Sequence, residues 1–201
     1  MDSSDRIVSS MQLACQQLSI APPSHQAVCD IIGLSLDIAI KKIIPGVSEE
    51  QIKALIAAYS EQYTHLNTTQ TPLYDGVVET MQRLKDTGFL LGVATGKSRR
   101  GLDRVLAQTQ LDQFIDFRRG ADEANSKPDP LMLSQILREA GLDADQAFMI
   151  GDTSYDLEMA QRIAMPSIGV SYGMHSIEVL NRFKPQYIAD EFPHIADWLE
   201  S

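Results

Sequence analysis

From about residue 72 onward, the sequence alternates short, almost continuous apolar runs with stretches of helical periodicity. The runs are FLLGVATG (89–96), AFMIGD (147–152), PSIGVSYG (166–173) and YIAD (187–190). A strand buried on both faces needs such a run, because neither side offers water to alternate polar residues. Between the runs lie helix patterns. Asp75 opens one that carries Val77, Val78, Met81 and Leu84 on one face and closes at Gly88. Others run from about Ser98 to Leu106, from Pro130 to Ala140 with Gly141 as the stop, from Asp156 to Ile163, and from Ile177 to Phe183. This alternation predicts an α/β fold: a Rossmann-like parallel sheet flanked by helices.

Residues 4–70 have a different grammar, helix after helix with no strand pattern. Pro22-Pro23 and Pro45-Gly46 break the stretch into short pieces. The last piece starts at Ser48 with Glu49 and Glu50 behind it, and repeats Ile52, Leu55, Ile56, Tyr59 and Tyr63 at helical spacing. The reading is a small all-helical layer beside the α/β body.

The formal net charge of -10 disfavours nucleic acid or an anionic membrane as a partner. A chain this acidic that handles phosphate must build its positive field locally, from a metal, a lysine or a helix N-terminus. The two cysteines, Cys15 and Cys29, have no metal spacing and read as reduced, packed thiols. The polar start MDSSDRIV has no apolar core of a signal peptide, and no run is apolar enough to span a bilayer, so a cytoplasmic protein is expected.

Three segments place polar groups where a predicted strand gives way to a helix, the edge at which open α/β sheets bind ligands. Thr95-Gly96-Lys97 offers a hydroxyl and free backbone N–H groups suited to an anion. Ser126-Lys127-Pro128-Asp129-Pro130 holds a lysine in a stiffened loop ahead of a helix that Pro130 begins. Gly151-Asp152-Thr153-Ser154-Tyr155-Asp156 brings two carboxylates to one strand end, hard oxygen donors suited to Mg²⁺. Each also has a plain structural reading as a turn or cap. Lys97, Arg99 and Arg100 read as a solvated helix face, and His25, His65, His175 and His194 as surface or helical-layer residues. Tyr172-Gly173-Met174 follows a strand end and is a candidate lining segment.

Taken in order, Thr, then Lys before a helix, then Gly-Asp-x-x-x-Asp, the chain resembles the haloacid dehalogenase-like superfamily, and within it the phosphoglycolate phosphatase-like branch. The resemblance implies a core of residues 1–7 and 72–201 and a helical cap of residues 8–71. Ile32-Gly33-Leu34-Ser35 would be the substrate-facing loop of the cap, and Leu73-Tyr74-Asp75-Gly76-Val77 the return to the core. It further implies Mg²⁺-dependent hydrolysis of a small phosphorylated metabolite. Thr95 and Gly96 would bind the phosphoryl group, and Lys127 would neutralise it. Asp152 would bind Mg²⁺, and Asp156 would bind it or orient Lys127.

One part of the pattern is missing. The family's first motif, an apolar strand ending in Asp-x-Asp that supplies the nucleophile, is expected just ahead of a segment like Asp2-Ser3-Ser4, and the sequence opens inside that segment. Asp2 and Asp5 follow no apolar strand. The expectation is therefore a chain inactive by itself, with the nucleophile upstream of Met1. The alternatives are a non-catalytic phosphate- or Mg²⁺-binding module and a phosphosugar mutase of the same branch. A dehalogenase would not need the metal that Asp152 and Asp156 suggest. A response-regulator receiver would place its acidic cluster before the Thr and Lys.

Overall fold

The computed structural model describes residues 1–201. They form two compact units, Met1–Leu73 and Tyr74–Ser201.

The first unit is helical: α1 (Ser4–Gln17), α2 (His25–Cys29), α3 (Leu36–Ile43), α4 (Glu49–Glu61) and a π-helical turn, Gln62–Leu66. Residues 1–7, read with the α/β body, cluster here instead. Ser4 to Ile7 are simply the first turn of α1. Ser48 caps α4 as its side chain accepts the Gln51 N–H, while the Gln51 side chain accepts the Ser48 N–H. Ile52, Leu55 and Ala58 then face the core, with Ile56 and Tyr59 half-buried beside them. The core includes Met11, Ala14, Cys15, Val28 and Ile40, and both cysteines are free thiols. Asn67 closes the unit by donating to Ser9 Oγ (2.8 Å) and Ser10 Oγ (2.9 Å). Arg6 lies over the Tyr63 ring, 5.1 Å from its centroid.

The second unit is α/β, in chain order α5 (Val77–Asp86), β1 (Gly92–Ala94), α6 (Arg99–Thr109), β2 (Phe117–Arg119), α7 (Leu131–Ala140), β3 (Met149–Gly151), α8 (Ser154–Gln161), β4 (Ser167–Val170), α9 (Ile177–Leu180), β5 (Tyr187–Ala189) and α10 (Pro193–Leu199). All strand pairs are parallel. The strands form two sheets, β1–β2 and β3–β4–β5, and β1 does not pair with β3. Only β4 has a hydrogen-bonded neighbour on each side, and it alone is buried along its whole length.

This corrects the expectation of strands buried on both faces. In the run leading into β1 Leu90 is 51% exposed, and in β3 Ile150 is 36% exposed, so one face of each is left uncovered. The strand β2 was not foreseen, because Phe117-Arg118-Arg119 has no apolar run. Val78 leaves the face assigned to it. Val77, Thr80, Met81 and Leu84 are buried, while Val78 is 41% exposed. Gly76, at φ +72°, turns the chain into α5 so close to Pro193 that a Cβ there would sit 2.6 Å from the ring.

One cluster, Met132, Leu133, Leu137, Met159 and Ala160, packs α7 and α8 together, with Ala94 of β1 and Met149 of β3 against it. These helices therefore bind the two sheets into one body. A second cluster, Ile168, Val170, Ala189 and Ile195, lies under α10, where Trp198 stacks on Tyr187 and meets Phe148 edge-on. The fixed element is thus a set of parallel strands whose C-terminal ends carry the loops described next.

Candidate functional site

Lys127 comes from the loop before α7, which Asp129 caps by accepting the Leu131 N–H at 2.9 Å. Its side chain is 6% exposed. The ammonium donates to the carbonyl oxygen of Ala94 at the end of β1 (3.0 Å) and to Asp156 Oδ1 in the first turn of α8 (2.5 Å). A buried ammonium is costly without such partners, so the pair fixes where the loop must lie.

Asp156 is held from its other side. Its Oδ2 accepts from Thr153 Oγ1 (2.7 Å) and from the Thr153 N–H (3.2 Å), while Thr153 Oγ1 accepts the Asp156 N–H (3.4 Å). This is a capping box that also orients the Asp156 carboxylate. A Cβ at Gly151 would overlap the Asp156 side chain, so the strand end approaches the helix in a way only glycine allows. Both Asp156 oxygens thus accept from the chain's own donors, Oδ1 from Lys127 and Oδ2 from Thr153.

Asp152 is the carboxylate placed differently. Its Oδ2 accepts the Met174 N–H (3.0 Å), and its carbonyl accepts the His175 N–H (3.0 Å). Burial raises its pKa, and the charge of Asp156 raises it further; the Met174 N–H, its own N–H and Lys127 pull the other way. No cluster of three or more His, Cys, Asp or Glu side chains suited to a metal occurs. Mg²⁺ commonly takes one or two carboxylates and completes its shell with phosphate and water, and the half-buried Asp152 carboxylate, whose Oδ2 accepts the Met174 N–H, fits that donor set.

Thr95 follows directly on Ala94, whose carbonyl receives Lys127. The Thr95 N–H donates to the Arg119 carbonyl (3.0 Å), which anchors it to β2. Its hydroxyl accepts the Lys97 N–H (3.2 Å), leaving the O–H proton to be donated. Gly96 lies between them in the turn. The fold therefore carries Thr95, Lys127, Asp152 and Asp156 to the C-terminal ends of β1 and β3 and the loop before α7.

The other candidates divide. Arg99 is spent on Asp103 and Glu123 (both 3.1 Å), and Arg100 is exposed, as a solvated helix face requires. Met174 joins the site through its N–H. His175 is neither a surface nor a helical-layer residue, the expectation from sequence: it is half-buried and accepts the Ser154 N–H at Nδ1 (2.9 Å) beside Asp152. Thr153 joins the site as well, and Thr-x-x-Asp at a helix start is its legible capping signal.

The family model described as haloacid dehalogenase-like hydrolase matches residues 1–170. The chain belongs to the haloacid dehalogenase-like hydrolase family. Among curated members it is 33% identical over 199 residues to "Probable phosphatase IndB" of Dickeya dadantii, a match covering 97% of this chain and 86% of that one. It is 26% identical to the phosphoglycolate phosphatase of Aliivibrio fischeri, covering 97% and 89%. These matches place this family member in the phosphoglycolate phosphatase-like branch. Two solved structures share the fold. A hydrolase from Pseudomonas syringae superposes with a TM-score of 0.86 at 21% identity, covering 99% of this chain and 92% of its own. A haloacid dehalogenase-like family protein from Streptococcus pneumoniae gives 0.84 at 20% identity, covering 98% and 92%. No helix of this hydrolase is long and apolar enough to cross a membrane.

Proposed function

We propose that Tyr74–Ser201 carries the phosphate- and Mg²⁺-binding side of a phosphomonoesterase site that acts on a small phosphorylated metabolite. The observation that carries this reading is the buried ammonium of Lys127, held between the Ala94 carbonyl and Asp156. In this reading Thr95 donates its hydroxyl to a phosphoryl oxygen, assisted by the backbone at Gly96. Lys127 offsets the charge of the transferring group, and Asp156 keeps Lys127 aimed. Asp152 is the residue that would hold Mg²⁺. When bound, the ion supplies electrostatic stabilisation of the phosphate oxygens. The helical unit is assigned as the family's cap, with Ile32-Gly33-Leu34-Ser35 as its substrate-facing loop. The phosphatase names of the relatives, phosphoglycolate phosphatase among them, support the substrate class.

None of these residues is a nucleophile. Thr95 has no adjacent base, Asp156 is engaged at both oxygens, and Asp152 is assigned to the cation. We therefore expect the 201-residue chain to bind a phosphate-like oxyanion such as tungstate in the presence of Mg²⁺ and to show no turnover of an aryl phosphate. Joining an apolar strand that ends in Asp-x-Asp-Gly-Thr-Leu to Asp2 should create turnover. Mg²⁺-dependent turnover by the unextended chain would refute the argument about the nucleophile. An extended chain that folds, binds tungstate and stays inactive would favour the non-catalytic binding module.

A further inference from the structure

The segment after β4 makes three contacts that converge on one residue. The Met174 N–H reaches Asp152 Oδ2 (3.0 Å), the His175 N–H reaches the Asp152 carbonyl (3.0 Å), and Gly173 lies so close that a Cβ there would overlap the Asp152 side chain. Nothing in the sequence ties residues 173–175 to residue 152. What ties them is the His175 ring. Its Nδ1 accepts the Ser154 N–H (2.9 Å), one of the N–H groups that the first turn of α8 leaves without a helical acceptor. To accept there, the ring must carry its proton on Nε2. It meets the Tyr155 ring in an edge-type contact, centroids 5.6 Å apart.

We propose that His175 is a positioning residue for Asp152. Its Nδ1 pins the 173–175 segment to the start of α8, so that the Met174 N–H holds one oxygen of Asp152 and fixes the direction of the other. The inference rests on the reading of Asp152 as the Mg²⁺ carboxylate and adds the device that sets its orientation. Gly173 belongs to the same device, since any side chain there would push Asp152 aside.

The test compares wild type with His175→Leu, which removes the acceptor, and His175→Asn, whose Oδ1 can take the place of Nδ1. Amide hydrogen exchange is read at Met174 and Ser154, with Gln186, which donates to Ser167 at the far end of the sheet (2.8 Å), as the control. Mg²⁺ affinity is read in parallel by calorimetry. The expected result is faster exchange at Met174 and Ser154 in His175→Leu, with Gln186 unchanged and both amides slowed again in His175→Asn. Mg²⁺ affinity should fall about 10-fold in His175→Leu, the usual effect of removing a group that orients a metal ligand, and recover in His175→Asn. Unchanged Met174 exchange in His175→Leu overturns the proposal whatever the metal does. Wild type and His175→Leu binding Mg²⁺ equally tightly also overturns it, while leaving the Mg²⁺ reading intact. No Mg²⁺ binding by wild type, with Met174 exchange shifted as expected, instead removes the Mg²⁺ reading and leaves the His175–Asp152 linkage standing.

Discussion

The two units differ in how they partner their buried polar groups. In the helical unit the Asn67 amide bonds Ser9 and the buried Ser10, hydroxyls one position apart on α1, beside Arg6, whose Nε is buried without a hydrogen-bond partner. In the α/β unit the buried polar cluster is an ion pair, Lys127 with Asp156, each side chain 6% exposed. A hydroxyl–amide cluster costs little to desolvate and stabilises by ordinary hydrogen bonding. An ion pair gains little over a packed apolar pair of the same shape, so folding alone gives weak reason to keep one. That difference is why the α/β pair reads as machinery and the helical cluster as architecture.

The largest expected effect tests the charged side. Lys127→Ala leaves the Asp156 carboxylate buried without its cation and should cost about 3–5 kcal/mol in urea unfolding. Lys127→Met with Asp156→Leu should recover most of that stability and none of the tungstate binding. A double variant that binds tungstate would erase the contrast. Next comes Asn67→Ala, expected to cost about 1–3 kcal/mol because it removes a donor from the buried Ser10 hydroxyl, with tungstate and Mg²⁺ binding unchanged. A loss of anion binding in that variant would show that the helical cluster is more than architecture.

A smaller effect is expected from Thr153→Ala, which removes the α8 cap and should cost about 1 kcal/mol. Because Thr153 also aims Asp156, it should weaken tungstate binding more than an equal loss of stability elsewhere. Smallest is the surface pair Lys85–Asp116 (2.7 Å). Burial pushes the Asp116 carboxyl up, but Lys85 and the Leu91 N–H together outweigh it and hold the pKa below the usual value. A carboxyl whose folded pKa is depressed adds stability above its unfolded pKa and loses it as pH falls through the folded one. Asp116→Asn should therefore cost well under 1 kcal/mol at neutral pH and flatten the loss of stability below about pH 4. A steeper acid loss in the variant would contradict the assignment.

How much of this was legible varied with range. Strand-end positions pointed to Thr95, Lys127, Asp152 and Asp156 because apolar runs and helix stops are local signals. The role of Asp156 was legible only as two options, since the sequence does not show that Thr153 and Lys127 occupy both its oxygens. β2 was hidden because Arg118 and Arg119 bear ion pairs to Asp103 and Glu139 in place of the apolar pattern. Long reach hid His175 as well, because its partner Ser154 lies 21 residues away, across α8 and β4. The exposure of Leu90 and Ile150 follows from which faces are left uncovered, and no periodicity encodes that.

The central claim is that Asp152 alone, of the two site carboxylates, faces a cation. Calorimetric titration of Mg²⁺ into wild type, Asp152→Asn, Asp156→Asn and Asp143→Asn tests it most directly. Asp143 caps a short turn before β3 and serves as the matched control. Mg²⁺ binding should be abolished by Asp152→Asn, reduced by Asp156→Asn through the freed Lys127, and unchanged by Asp143→Asn. Equal binding by the Asp152→Asn and Asp143→Asn proteins would contradict the account.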